Sequence, residues 1–267
     1  GQRCAGGASD TQKPSCGCGR AGAILRAMAQ SSPHAAFLET LKYALLLVLV
    51  LAALSSVGIA QNRVGVESTP AARQELGEAM RATPNLRAGE DDFAPCGACH
   101  GVDGRGVPDG SVPAIAGQHF TVIAKQLVDY RHGRRWDMQM EHAARMRHLA
   151  SGQDLADVAA YVSRLPRGFS SGSGPGEFLN EGARAYFRHC ERCHGALGGG
   201  DALRGIPRLA GQHYGYLYRQ FFDAVEQRRP NMSADHIELM KKLEREEIIG
   251  ISDYLSRTSV ELTRLSD

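Results

Sequence analysis

Cys96, Cys99 and His100 form a Cys-x-x-Cys-His run, and Cys190, Cys193 and His194 form a second one 94 residues further on. Two thiols at this spacing, with an imidazole next to the second, suit covalent haem attachment: the thiols add to porphyrin vinyl groups and the imidazole reaches the iron. Two such runs imply two haem c groups. A redox dithiol beside an accidental histidine, or three ligands of a zinc site awaiting a fourth, produces the same five letters. Those readings leave the surroundings unexplained, because identity between the segments continues at the same offset. Pro113 matches Pro207, Ala116-Gly117-Gln118-His119 matches Ala210-Gly211-Gln212-His213, and Gln126 matches Gln220. Arg134-Arg135 matches Arg228-Arg229, and Met138, His142, Met146 and Leu149 match Met232, His236, Met240 and Leu243. Repetition of this length means one structural unit used twice.

His100 and His194 are the expected proximal iron ligands. A ligating imidazole donates its other N–H to a fixed acceptor, and the carbonyls of Pro113 and Pro207 are the candidates. On the opposite face each repeat offers a Met, a His and a Met at four-residue spacing, with Met140 added in the first. Thioether ligation raises the reduction potential relative to a second imidazole, so the choice matters. Met146 and Met240 are expected to pack against the ring or core. His119 and His213 are read as opening a helix and touching a haem carboxylate or the neighbouring domain. The paired arginines are candidates to neutralise haem carboxylates.

These side chains need helices to hold them. The sequence predicts an all-α fold of two tandem domains, with no convincing strand pattern. Apolar spacing predicts helices over 71–81, 119–132 and 153–165 in the first repeat and over 177–190, 213–227 and 244–256 in the second. The first motif is expected to follow an irregular approach after Pro84. Gly-rich loops at 101–110 and 195–205 follow each motif and are expected to wrap a cofactor edge. Aromatics make up only 6% of the chain, so the porphyrins themselves are expected to serve as core.

Each repeat has a C-x-x-C-H run, a Pro, an Ala-Gly-Gln-His, a helix carrying Lys125-Gln126 or Arg219-Gln220, and a last acid-rich helix with a Tyr near its end. In this layout, over about residues 74–259, the chain resembles the two-haem cytochrome c4 family and its c553-type relatives. The resemblance implies two class I cytochrome c domains and a distal Met seven residues before the Leu that opens the last helix. Here that Leu is Leu149 or Leu243, and seven residues earlier stand His142 and His236. The chain departs from the family at this position in both repeats. Two readings follow: His142 and His236 as distal ligands, which is preferred, or Met138 and Met232 if the segment shifts by one turn.

The expected organisation is upstream sequence over 1–27, an export signal or anchor over 28–60, a linker over 61–73, domain 1 over 74–165, a Gly/Ser/Pro linker over 166–176 and domain 2 over 177–267. The chain lacks a Met at position 1, and Met28 precedes a short n-region. The uninterrupted apolar run Ala44 to Leu54 is short for a span, which needs roughly 20 apolar residues, and leads to small residues near Ala60 that suit signal peptidase. A periplasmic location follows, with membrane association if the segment stays uncleaved. Cys4, Cys16 and Cys18 fall in the upstream stretch. Residues 61–267 hold 26 Lys and Arg against 27 Asp and Glu, without the basic footprint of a nucleic-acid binder.

The expected function is one-electron transfer between respiratory redox partners, a donor and a terminal oxidase or reductase. No catalytic residue is assigned. The competing classes are a two-haem peroxidase or sulfur-compound dehydrogenase, and a haem subunit of a larger membrane-bound oxidoreductase. Such enzymes usually make their haem units chemically unlike, whereas these repeats match around the distal candidates.

Overall fold

The structure is a computed structural model that describes residues 37–38, 41–48, 68–168 and 172–258. Residues 41–48 form a short exposed helix within one unit, Gly1–Asn62, and the repeats belong to a second, Arg63–Asp267. The rest of the expected export segment, the expected cleavage region, and Cys4, Cys16 and Cys18 lie outside the described residues. Among the described residues no helix is long and apolar enough to cross a membrane.

The regular elements of the repeats are helices, and the described residues contain no strand beyond an isolated bridge between Asp201 and Ile206. The first repeat comprises α1 (Pro70–Arg81), α2 (Leu86–Phe93), α3 (Gly97–His100), α4 (Phe120–Arg131), α5 (Met138–Ala144), a 3-10 turn at Arg147–Leu149, and α6 (Gly152–Arg164). The second comprises α7 (Leu179–His189), α8 (Glu191–His194), α9 (Tyr214–Val225), α10 (Ala234–Lys241) and α11 (Arg245–Arg257).

Local chemistry sets these boundaries. Thr69 caps α1 by accepting from Ala72 N–H, and Pro70 starts it where a missing N–H costs nothing. Ser151 with Asp154 opens α6, and Glu244 with Glu247 opens α11, each as a reciprocal capping box. The approach to the first motif, expected to be irregular, is instead the helix α2. Asn85 Oδ1 accepts from the N–H groups of both Arg87 and Ala88, which nucleates a turn that apolar periodicity does not reveal.

In each repeat the helix entering the haem motif crosses the last helix with almost no spacing. A Cβ on Gly250 of α11 would stand 2.7 Å from the backbone N and Cα of Gly182 on α7, and closer still to Phe178 O. Gly89 on α2 lies equally tight against Asp157 O of α6. Around these crossings Phe93, Val128, Leu149, Leu155 and Val162 form one core, and Tyr186, Leu217, Phe221, Ile251 and Leu255 the other. Phe187 on α7 is exposed.

The described part of the linker is pinned rather than free. Asp253 of α11 accepts from Gly174 N–H at 2.9 Å and Gly176 N–H at 2.6 Å, while His213 Nδ1 accepts from Gly172 N–H at 3.0 Å.

Candidate haem sites and the face between them

Each motif folds as one helical turn capped by its first cysteine, so its two thiols and imidazole lie within five residues of rigid backbone. His100 N–H bonds Cys96 O at 2.9 Å and His194 N–H bonds Cys190 O at 2.9 Å, closing the turns. The chain then reverses through Gly101 and Gly195, both at positive φ near +78°, a region open to glycine without strain.

The imidazoles of His100 and His194 are each only 7% exposed. His100 Nδ1 lies 3.1 Å from Pro113 O, and His194 Nδ1 lies 3.0 Å from Pro207 O. A carbonyl only accepts, so each Nδ1 carries the proton and each Nε2 keeps its lone pair for a metal. Burial pushes both imidazoles below the usual histidine range, against the opposing pull of the proline carbonyls. His194, with His236 beside it, falls to about 4. Burial also raises the thiols of Cys96 and Cys190, the latter to about 12 with Cys193 and Glu247 adding to the rise. Cys99 and Cys193 are exposed.

The distal candidates differ between the repeats. His236 on α10 is half-buried, and its ring centroid lies 6.2 Å from that of His194. With metal–imidazole bonds of about 2.0–2.1 Å and a ring nitrogen about 1.1 Å from its centroid, imidazoles on opposite faces of one metal have centroids roughly 6.3 Å apart. The spacing therefore suits one iron between them. In the first repeat His142 is exposed on α5 and makes no such ring contact with His100 among the described residues. Met138 is 86% exposed, Met232 is half-buried, Met146 is exposed, and Met240 packs on the second core. The helices start at different points relative to the repeat: Asp137 caps α5, whereas Ser233 caps α10 at His236 N–H.

Between the repeats lie residues whose role spacing alone does not reveal. Gln118 holds both the N–H and the carbonyl of Arg208, at 3.0 and 2.9 Å, and Gln212 holds both the N–H and the carbonyl of Ala114, at 3.0 and 2.8 Å. His119 Nε2 lies 2.8 Å from Gly199 O, and His213 Nε2 lies 2.7 Å from Arg105 O. The Gly-Gln-His motif is thus a reciprocal fastening, and its recurrence at one offset was the signal available in the sequence.

Beside it, Arg135 donates to Gln126 Oε1 at 2.6 Å, Tyr216 OH at 2.6 Å and Gln220 Oε1 at 2.8 Å, and stacks over Tyr130 with its guanidinium carbon 4.8 Å from the ring centroid. Arg229 also reaches Gln220 Oε1, at 3.0 Å, while its buried Nε has no hydrogen-bond partner among the described residues. Burial, reinforced by repulsion from Arg135, lowers Arg229 to about 10. Two guanidiniums that share Gln220 Oε1, with the Asp223 carboxylate raising both, are candidates to meet further carboxylates. Haem c carries such groups, and the paired thiols and the proline-held imidazoles fit it. Among the described residues no three of His, Cys, Asp and Glu converge as a zinc site requires.

An all-α fold with two tandem thiol-and-imidazole turns defines a c-type cytochrome with two haem c groups, each supplying an iron that cycles between ferrous and ferric states. The cytochrome c family model matches residues 86–166 and 179–259. Cytochrome c4 of Pseudomonas aeruginosa is 35% identical over 182 residues, covering 65% of this chain and 89% of that protein. The crystal structure of reduced recombinant cytochrome c4 from Pseudomonas stutzeri superposes with a TM-score of 0.58 at 31% identity, over 66% of this chain and all of that one. The chain belongs to the cytochrome c family, in its tandem cytochrome c4 group. It is also similar to the thiosulfate dehydrogenase electron acceptor of Stutzerimonas stutzeri, 28% identical over 60% of this chain and 77% of that protein.

Proposed function

We propose that this chain is a periplasmic one-electron carrier between respiratory redox proteins, with His100 and His194 as proximal iron ligands and His142 and His236 as distal ones. The observation that carries the carrier reading is the chemical likeness of the two proximal sides. Both proximal imidazoles have the same burial and the same proline-carbonyl partner, whereas a catalytic pair would set one iron apart. The His194–His236 spacing supports imidazole on both faces of the second iron. Iron filled on both faces leaves no place for peroxide or oxygen, and the protein's part is then to bury the haem and set its potential. Arg135 and Arg229 receive the haem carboxylates.

Near-infrared absorption and low-temperature EPR of the oxidised protein test the ligands. Two low-spin signals without a red-region Met-to-iron charge-transfer band are expected, and such a band at two-haem intensity would overturn the assignment. Peroxide or thiosulfate turnover by the purified protein alone would overturn the carrier reading.

A second reading has specific support in the similarity to a thiosulfate dehydrogenase electron acceptor: the chain takes electrons from a sulfur-oxidising partner. Reduction of both haems on mixing with such a dehydrogenase and thiosulfate, and not with thiosulfate alone, distinguishes it.

A further inference from the structure

We propose that Gln118 and Gln212 are positioning residues that act in trans, each strengthening the hydrogen bond that holds the other repeat's proximal imidazole. This rests on the reading of His100 and His194 as iron ligands.

The peptide group between Pro113 and Ala114 is used at both ends. Its carbonyl accepts from His100 Nδ1–H at 3.1 Å, and its N–H donates to Gln212 Oε1 at 3.0 Å. The peptide between Pro207 and Arg208 does the same, accepting from His194 Nδ1–H at 3.0 Å and donating to Gln118 Oε1 at 3.0 Å. Hydrogen bonds in series polarise one another, so an acceptor on the N–H makes the carbonyl oxygen more negative and a better partner for the imidazole.

The orientation of each amide is set by its neighbours. Gln212 Oε1 also accepts from His213 N–H at 2.9 Å while its Nε2 donates to Ala114 O; Gln118 Oε1 accepts from His119 N–H at 3.0 Å while its Nε2 donates to Arg208 O. Flipping either amide would set its NH2 against two N–H donors. The proline carbonyls are also walled in from their own side. Gly106 and Gly200 sit at φ of +68° and +75°, and a Cβ there would stand 2.5 and 2.6 Å from Pro113 O and Pro207 O.

A stronger hydrogen bond from the proximal N–H gives the imidazole more anionic character, which favours ferric iron. Each repeat therefore lowers the potential of its neighbour's haem, and loosening one clamp raises the potential on the far side.

The test uses the full holo-protein and two variants of similar side-chain volume, Gln212→Met and Gln118→Met. Redox titration is combined with NMR of the hyperfine-shifted imidazole protons, assigned through the backbone N–H groups of His100 and His194. Gln212→Met should raise the potential of the His100 haem and displace the His100 ring signals while leaving those of His194 in place; Gln118→Met should do the mirror image. A displacement confined to the variant's own repeat, equal displacement at both haems, or none at either overturns the proposal. If the wild-type protein holds two haems but His100 and His194 give no hyperfine-shifted ring signals, the ligand reading itself fails, an outcome visible before any variant is made.

Discussion

Replacing Gly250 by Ala tests whether the closest helix crossing holds the second repeat together. An alanine normally helps a helix interior, by about 1 kcal/mol relative to glycine. Here the added Cβ would lie 2.7 Å from Gly182 N and Cα, against an ordinary contact that begins at 3.4 Å, and nearer still to Phe178 O. All three are backbone atoms that no rotamer change can move aside. α7 and α11 must separate by at least about 0.7 Å along that direction, which loosens Tyr186, Ile251 and Leu255 together. Overpacking of a core costs roughly 1–3 kcal/mol, and an immovable backbone obstacle places this case at or above the top of that range. A net loss of about 2 kcal/mol remains after the helix-propensity gain. For a unit of fewer than 100 residues, that corresponds to a fall in Tm of roughly 10 °C. The assay is thermal unfolding of the oxidised holo-protein, followed by far-UV circular dichroism and Soret absorbance. Gly199→Ala is the control, because a Cβ there meets nothing within 4 Å and the backbone is not at positive φ. A Gly250→Ala protein that melts together with the Gly199→Ala protein would refute the reasoning.

Three further perturbations reach other parts of the molecule. His236→Ala should open one face of the second iron, giving a high-spin ferric signal of one-haem intensity; an unchanged low-spin spectrum would exclude His236 as a ligand. Asp253→Asn should release the linker, since an amide oxygen cannot replace a carboxylate that serves Gly174, Gly176 and Arg257 together. Cleavage of residues 166–176 by a protease of broad specificity should become several-fold faster, while resistance equal to wild type would mean that the anchor is dispensable. Arg135→Leu removes a buried positive charge next to the proposed carboxylate seat, so both reduction potentials should fall. Unchanged potentials in a redox titration would place the haem carboxylates elsewhere.

The doubled motif, the offset that binds its surroundings into a repeat, and the helices on either side were legible in the sequence because each depends on local spacing. The helix expected over 153–165 is found at 152–164, and that over 119–132 at 120–131. α2 was hidden because Leu86-Arg-Ala-Gly-Glu-Asp-Asp-Phe93 carries little apolar periodicity; its formation depends on a cap at Asn85 and on Gly89 fitting against Asp157 O. α5 and α10 were seen only as a Met/His/Met spacing, since short helices set by a single capping side chain leave a faint pattern. The repeat marked Gln118 and Gln212 as paired positions. Whether each served its own half or the opposite one was a question of tertiary contact, which no spacing along the chain encodes.

The seam between the repeats has one more consequence. Gln118 and Ala114 belong to the same half, as do Gln212 and Arg208, so each half carries both a clasp and the loop that a clasp grips. Two copies of such a half related by a two-fold axis would fasten each other twice, which is the self-complementarity of an isologous dimer. Fusing an ancestral homodimer by gene duplication would have required only a tether, with no new contact to invent. Because each clasp grips backbone, the gripped side chains were left free to diverge, as Ala114 and Arg208 have.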